Sequence, residues 1–150
     1  MATVLLVHHT VSLSTEALLD AALAGLAEPE LSEVEVVAKS ALSATVSDVL
    51  AADAYVLGTP ANIGYMSGAM KYFFDQIYYP TRNETAGRGY GVYVHGNDDC
   101  TGAVNAITKI AKGVGWTPVF DPIAVTGEPT KADLERCHEM AATVASTLIA

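Results

Sequence analysis

The sequence predicts an α/β protein built on a doubly wound, five-stranded parallel sheet in the order 2-1-3-4-5, with helices on both faces. Three observations carry that expectation. Five strand-like apolar runs alternate strictly with five helical patterns, and such alternation builds a parallel sheet covered by helices. The first, third and fourth runs are almost continuously apolar, as strands buried on both faces must be. The second and fifth are not, which places them at the edges.

The elements follow in chain order. "TVLLVHH" (Thr3–His9) reads as the first strand, and a helix from about Thr15 carries Leu19, Leu23 and Leu26 at helical spacing. "EVEVVA" (Glu33–Ala38) alternates, with Glu33 and Glu35 facing one way and Val34 and Val36 the other; a short helix near Ser47–Ala51 follows. "AYVLGTP" (Ala54–Pro60) is a third strand ended by Gly58 and Pro60, and the next helix carries Met66, Met70, Phe73, Phe74 and Ile77. "YGVYVHG" (Tyr90–Gly96) precedes a helix with Val104, Ile107 and Val114. "TPVFDPIAVTG" (Thr117–Gly127) contains Pro118 and Pro122, which a central ladder does not tolerate. A last helix starts near Lys131. With right-handed crossovers these edges give the order 2-1-3-4-5, whose switch point lies between strands one and three. A ligand should bind above the carboxyl ends there, and above strand four beside them. No repeat or linker interrupts the chain, so residues 1–150 are expected to form one domain.

Composition excludes several classes of function. Apolar residues make up 51% of the chain, enough for a core without staples. The net charge is −9, from 17 acidic and 8 basic residues, a field that repels nucleic acid and anionic membranes. Cys100 and Cys137 form neither a metal spacing nor a disulfide framework, which suits a reducing compartment. The apolar run Val4–Val7 is too short for a signal segment, and nothing approaches a membrane span. A cytoplasmic, soluble protein is expected.

Three loops fall at the predicted ligand end. The first, "VHHTVSLSTEALL", has hydroxyls at Thr10, Ser12, Ser14 and Thr15 around Val11 and Leu13, and no Lys or Arg. A helix N-terminus with free N–H groups and hydroxyl donors binds a phosphate without a base; the alternative is a well-capped helix, with Thr15-Glu16 at the cap and first turn. Walker and dinucleotide glycine patterns are absent. The second loop, "GTPANIGYMSGAMKYFFDQIYY", has a neutral, amide-rich segment that suits the edge of a flat heterocycle. Gly64 and Gly68 there would permit close backbone approach. Met66, Met70 and Phe73 read as core, and Lys71 and Asp75 as an i,i+4 surface pair. The third loop, "YVHGNDDCTGAVN", offers His95, either as a hydrogen-bonder and proton donor to a ligand or as a histidine satisfied by backbone. Asp99 or Thr101 is the expected cap of the following helix. Cys100 sits among acids, so no lowered thiol pKa is expected. No residue set has metal spacing, and no nucleophile elbow occurs.

The run "T-V-S-L-S-T-E" (Thr10–Glu16) resembles the flavodoxin phosphate loop, and "GTP-A-N-I-G-Y-M-S-G-A-M-K-Y-F-F-D" is similar to the NAD(P)H-dependent FMN reductase and quinone reductase branch of the same superfamily. The resemblance spans all five βα units and implies a flavodoxin-like fold. It implies that Thr10, Val11, Ser12, Leu13, Ser14 and Thr15 bind the FMN phosphate. Thr59, Pro60, Ala61, Asn62, Ile63 and Gly64 would border the flavin ring, with His95, Gly96 and Asn97 on its other side and His95 as proton donor. NADH or NADPH would be the co-substrate. Leu13 stands where flavodoxins have Gly, and the third loop lacks their stacking Tyr, leaving Tyr65 as the nearby aromatic. An open ring favours a reductase over a carrier. The partners implied are a small-molecule electron acceptor (a quinone or free flavin) or a redox protein, and a homo-oligomer stays open. The second reading is a flavodoxin-type carrier docking on a basic partner; a third is a flavin-free module of the same fold. Arg82 and Arg88 are the candidates for holding a nicotinamide-nucleotide phosphate.

Overall fold

The computed structural model describes residues 1–149. Its elements are β1 (Thr3–His8), α1 (Leu13–Leu26), a 3-10 turn (Pro29–Leu31), β2 (Glu35–Ser40), α2 (Val46–Ala51), β3 (Ala54–Asn62), β4 (Tyr65–Met66), α3 (Gly68–Thr81), β5 (Gly89–Gly96), α4 (Thr101–Val114), β6 (Thr117–Pro118), β7 (Ile123–Thr126) and α5 (Lys131–Ser146). The sheet order is β2-β1-β3-β5, with β6 and β7 both pairing β5 on the outer edge. Every pairing is parallel except β3 with β4. This is the predicted order, with the fifth run split in two around Val119–Pro122. Pro118 and Pro122 bracket the break, because neither can donate to a continuous ladder.

Strand periodicity divides the core into two halves. Leu5, Val7, Tyr55, Leu57, Val92 and Val94 pack on one face with Met70, Phe73, Phe74, Ile107 and Ala111. Val4, Leu6, Val56, Tyr93 and Val125 pack on the other with Leu18, Ala22, Met140 and Val144. So α2, α3 and α4 cover one face, and α1 and α5 the other. Helices α1 and α5 approach closely at Gly25, where a Cβ would lie 2.2 Å from the His138 carbonyl oxygen.

Several boundaries differ from the sequence expectation. The second strand begins at Glu35, so Glu33 lies outside it, while Val34 is buried just before it. Helix α1 starts at Leu13 and its cap is Ser12, with Thr15 at the third helical position closing a capping box. Met66 is buried in β4 rather than in a helix, and α3 starts at Gly68 behind the Ser67 cap.

Gly58 and Pro60 do not end the third strand. β1 pairs with β3 only as far as His8 opposite Gly58, where the His9 N–H donates to the Gly58 carbonyl. Pro60 has the same parity as Gly58 and faces the side where β1 has run out. Its missing N–H therefore removes no ladder bond, and β3 continues beside β5 through Pro60 opposite His95.

Candidate functional site

Loops one, two and three meet at the carboxyl end of β1, β3 and β5. The His9 N–H ties loop one to β3. Gly96 ties loop three to β3, since a Cβ on it would lie 3.2 Å from Ala61 Cβ and from Cys100 Sγ.

Loop one is a helix cap with donors to spare. The Thr15 hydroxyl is buried; it accepts from the N–H groups of Val11 (3.0 Å) and Ser12 (2.9 Å) and donates to the Ser12 carbonyl. The Ser12 hydroxyl accepts from the Thr15 N–H. Thr15 thus shapes the loop from inside. The N–H groups of Thr10, Leu13 and Ser14 and the Ser14 hydroxyl have no partner among the described residues. They sit at the N-terminus of a 14-residue helix, where an anion is favoured.

His8 ends β1 and His9 follows it, just before this loop. The His8 Nδ1 lies 2.7 Å from the Thr10 hydroxyl. Burial, with His9 beside it, holds the His8 imidazole below its ordinary pKa. Protonation of the folded chain is thereby disfavoured relative to the unfolded one, so stability is lost as pH falls through the ordinary histidine range. The flavin-free chain should lose stability between pH 7 and pH 5 more steeply than His8→Asn does. Parallel denaturation midpoints for the two proteins would refute this. The His9 Nδ1 is sealed from solvent and has no hydrogen-bond partner. It is the single such side-chain atom among the described residues. The only sequence signal for it is its place, directly before a hydroxyl loop at a strand end.

Loop two is a β-hairpin. Ala61 pairs with Met66 and Asn62 with Tyr65, leaving Ile63 and Gly64 as the turn. Their φ values are 52° and 73°, the sign pattern of a type I′ turn. For a β-branched residue that conformation is an outlier, with strain on the order of 1–3 kcal/mol. Ile63 is also fully exposed.

The close approach expected of Gly64 and Gly68 is not made among the described residues: a Cβ on either meets nothing within 4 Å. Gly64 serves the positive φ. The close contact belongs to Gly102 at the start of α4, where a Cβ would lie 1.8 Å from the Gly64 carbonyl oxygen. Thr59 is fully buried and its hydroxyl is spent inside, donating to the Pro60 carbonyl (2.8 Å) and accepting from the Ser67 N–H (3.1 Å). It fastens the hairpin to the start of α3. Lys71 and Asp75 form the expected surface pair.

In loop three, His95 is buried and its Nε2–H donates to the Gly127 carbonyl at 2.8 Å. The backbone-satisfied alternative describes this geometry, and it leaves that N–H unavailable for donation to a ligand. Asn97 and Asp98 are exposed. Asp99 accepts from the N–H and hydroxyl of Thr101, which hold its carboxyl below the usual range. Neither residue is the cap of α4: Cys100 occupies that position, with no side-chain cap bond. Burial pushes the Cys100 thiol up, so it is no thiolate nucleophile. No cluster of three or more metal-ligating side chains occurs among the described residues.

Arg82 and Arg88 lie at the opposite end of the sheet. Arg88 precedes β5 and donates to the Ala52 (2.6 Å) and Leu50 (3.1 Å) carbonyls at the end of α2. Arg82 follows the last turn of α3 over the Tyr79 ring. Neither reaches the three loops.

The model of the NADPH-dependent FMN reductase family matches residues 8–130, a span that takes in all three loops. The chain belongs to this family. It is an FMN-binding oxidoreductase that uses NAD(P)H. Among solved structures it is similar to a flavodoxin from the domain Archaea (20% identity, 97% of this chain and 98% of that one, TM-score 0.81). It is also similar to oxidised flavodoxin 2 from Bacillus cereus (21%, 97% and 99%, TM-score 0.81). A flavodoxin, WrbA-like protein from Agrobacterium tumefaciens is a third (19%, 98% and 97%, TM-score 0.77). At these identities the likeness is one of fold. The curated proteins contain no match to the chain. No helix among the described residues is long and apolar enough to cross a membrane.

The residues present fit FMN. Unpaired N–H groups at one helix N-terminus suit a single phosphate, and the unpartnered His9 nitrogen lies beside them at the end of β1. Five exposed apolar side chains, Val11, Leu13, Leu42, Ile63 and Tyr65, rim the same end of the sheet.

Proposed function

We propose that the N–H groups of Thr10, Leu13 and Ser14, with the hydroxyls of Thr10, Ser12 and Ser14, hold the FMN phosphate, and that the hairpin Pro60-Ala61-Asn62-Ile63-Gly64 borders the flavin ring, with Gly96 and Asn97 on its other side. The observation that carries the reading is the pairing of unspent donors with an apolar rim. The donors suit a phosphate of about two negative charges, and exposed apolar groups rimming a polar site suit a flat, largely apolar ligand.

Bound FMN supplies the chemistry of accepting hydride and releasing electrons. The chain's own residues position and shield. Thr15 fixes the curvature of loop one, Thr59 fixes the hairpin on α3, and His95 fixes the β7–α5 connection against β5. The exposed Ile63 and Tyr65 leave the rim open to a nicotinamide and then to a small acceptor, a quinone or free flavin. The FMN-loaded protein is therefore expected to oxidise NADPH or NADH with either acceptor. Failure with every combination would return the chain to the carrier reading.

Ser12 and Ser14 separate the phosphate assignment from helix capping. Ser14→Ala removes a hydroxyl that bonds to no described residue, so FMN affinity should fall by on the order of tenfold, as for a hydrogen bond to a charged group, with stability unchanged. Ser12→Ala should lower both affinity and stability, the latter by about 1 kcal/mol for a lost cap. Unchanged affinity in Ser14→Ala, measured by flavin fluorescence quenching, would remove that hydroxyl from the phosphate site.

A further inference from the structure

Away from the three loops, the gap between α4 and the outer edge of the sheet holds a cavity of about 630 Å3. That is the size range of small-molecule sites. It exists because the edge strand breaks: Val119–Pro122 bulges between β6 and β7, and the bulge leaves β5 uncovered on that side. The floor is aromatic. Tyr90 and Trp116 line it, both nearly fully buried, with Pro118, Pro122 and the bulge residues Val119 to Asp121 around it. The Phe120 ring itself lies under the Arg136 guanidinium of α5, toward the other face of the sheet.

Most of the polar groups here are already satisfied. The Trp116 Nε1–H donates to the Thr85 hydroxyl at 2.9 Å, and the indole stacks on Tyr55 with centroids 4.0 Å apart. The Thr108 hydroxyl donates to the Val104 carbonyl. Tyr90 is the exception. Only 2% of it is exposed, and its hydroxyl bonds to no described residue. That hydroxyl is nevertheless not among the atoms sealed from solvent without a partner, so it opens into the cavity that Tyr90 lines. Burial of the ring pushes the phenol up, which keeps it a donor. At the mouth Lys112 and Asp121, both exposed and unpaired with each other, offer one charge of each sign and no net preference.

We propose that this cavity is a binding site for an uncharged planar aromatic molecule carrying a carbonyl oxygen, which accepts from the Tyr90 hydroxyl while its ring lies against Trp116 and the prolines. The walls give flat apolar contact, the buried hydroxyl gives one oriented donor, and the overall charge of −9 disfavours an anion. The site is not the reaction centre. Tyr90 lies five residues before His95 on β5, about 17 Å at strand rise, whereas reacting atoms must approach to roughly 3–3.5 Å. The molecule held here is a second ligand and not the hydride acceptor.

Trp116 is the sole tryptophan, so one indole N–H resonance reports on the cavity. The probe is acetophenone, added to the FMN-loaded protein, with ethylbenzene as the same shape lacking the acceptor. Acetophenone should shift the Trp116 indole and the amides of Val119–Asp121 saturably, leaving the amides of residues 10–15 and 61–64 in place. Tyr90→Phe should weaken acetophenone by about fivefold, the worth of one neutral hydrogen bond, and leave ethylbenzene unchanged. The proposal is overturned by shifts confined to the three loops, by no saturable shift at Trp116, by an indifferent Tyr90→Phe, or by equal weakening of both probes.

Discussion

Gly102→Ala is expected to cut NADPH oxidation by the FMN-loaded protein by on the order of 10²-fold, the cost of an ångström's misplacement at a reacting site, without unfolding the sheet. The argument rests on one contact. A Cβ on Gly102 would stand 1.8 Å from the Gly64 carbonyl oxygen and 3.0 Å from its carbon. Both are backbone atoms, so no side chain can swing aside, and the hairpin must move off α4 by more than an ångström. The substitution does not weaken α4. Alanine inside a helix is favoured over glycine by about 1 kcal/mol, so the helix itself gains. Lost turnover or lost FMN occupancy therefore reports on the position of Ile63 and Gly64. A variant with wild-type flavin occupancy and turnover would show that the hairpin's seat on α4 has no part in the site.

The fold was legible because its signals are redundant. Continuous apolar runs at Val4–Val7 and Tyr55–Leu57 mark central strands, and Pro118 with Pro122 marks an edge; the observed order follows from both. The broad place of the site was legible as well, since the switch point and the hydroxyl loop coincide. What stayed hidden depends on atoms that sequence does not locate. The sequence points to Thr15 as the cap, because Glu16 follows it, and only geometry makes Ser12 the cap and turns the Thr15 hydroxyl inward. Pro60 reads as a strand end, yet β3 continues because β1 stops first. Ile63-Gly64 lacks the Asn-Gly signature of a two-residue hairpin, so the turn went unread. His95 could have faced a ligand; the Gly127 carbonyl, 32 residues away in sequence, takes its N–H instead.

His9 yields the most discriminating prediction about FMN, because its two effects have opposite signs. The imidazole continues the side of β1 that carries Leu5 and Val7, at the point where the His9 N–H reaches the Gly58 carbonyl at 2.9 Å. Its Nδ1 is buried without a partner, a state that costs about 1–3 kcal/mol. Replacing it with an apolar group should stabilise the flavin-free protein, and His9→Leu is expected to raise the melting temperature by about 2–4 °C, the shift that 1 kcal/mol produces at this chain length. We propose that FMN binding turns the His9 ring so that this nitrogen bonds to the ligand, in which case the same change should lower affinity by on the order of tenfold. Melting curves without flavin and fluorescence titrations with it read the two halves separately. A fall in both quantities would make His9 a packing residue. A rise in stability with affinity unchanged would mean that FMN never meets this nitrogen, and either result sinks the assignment.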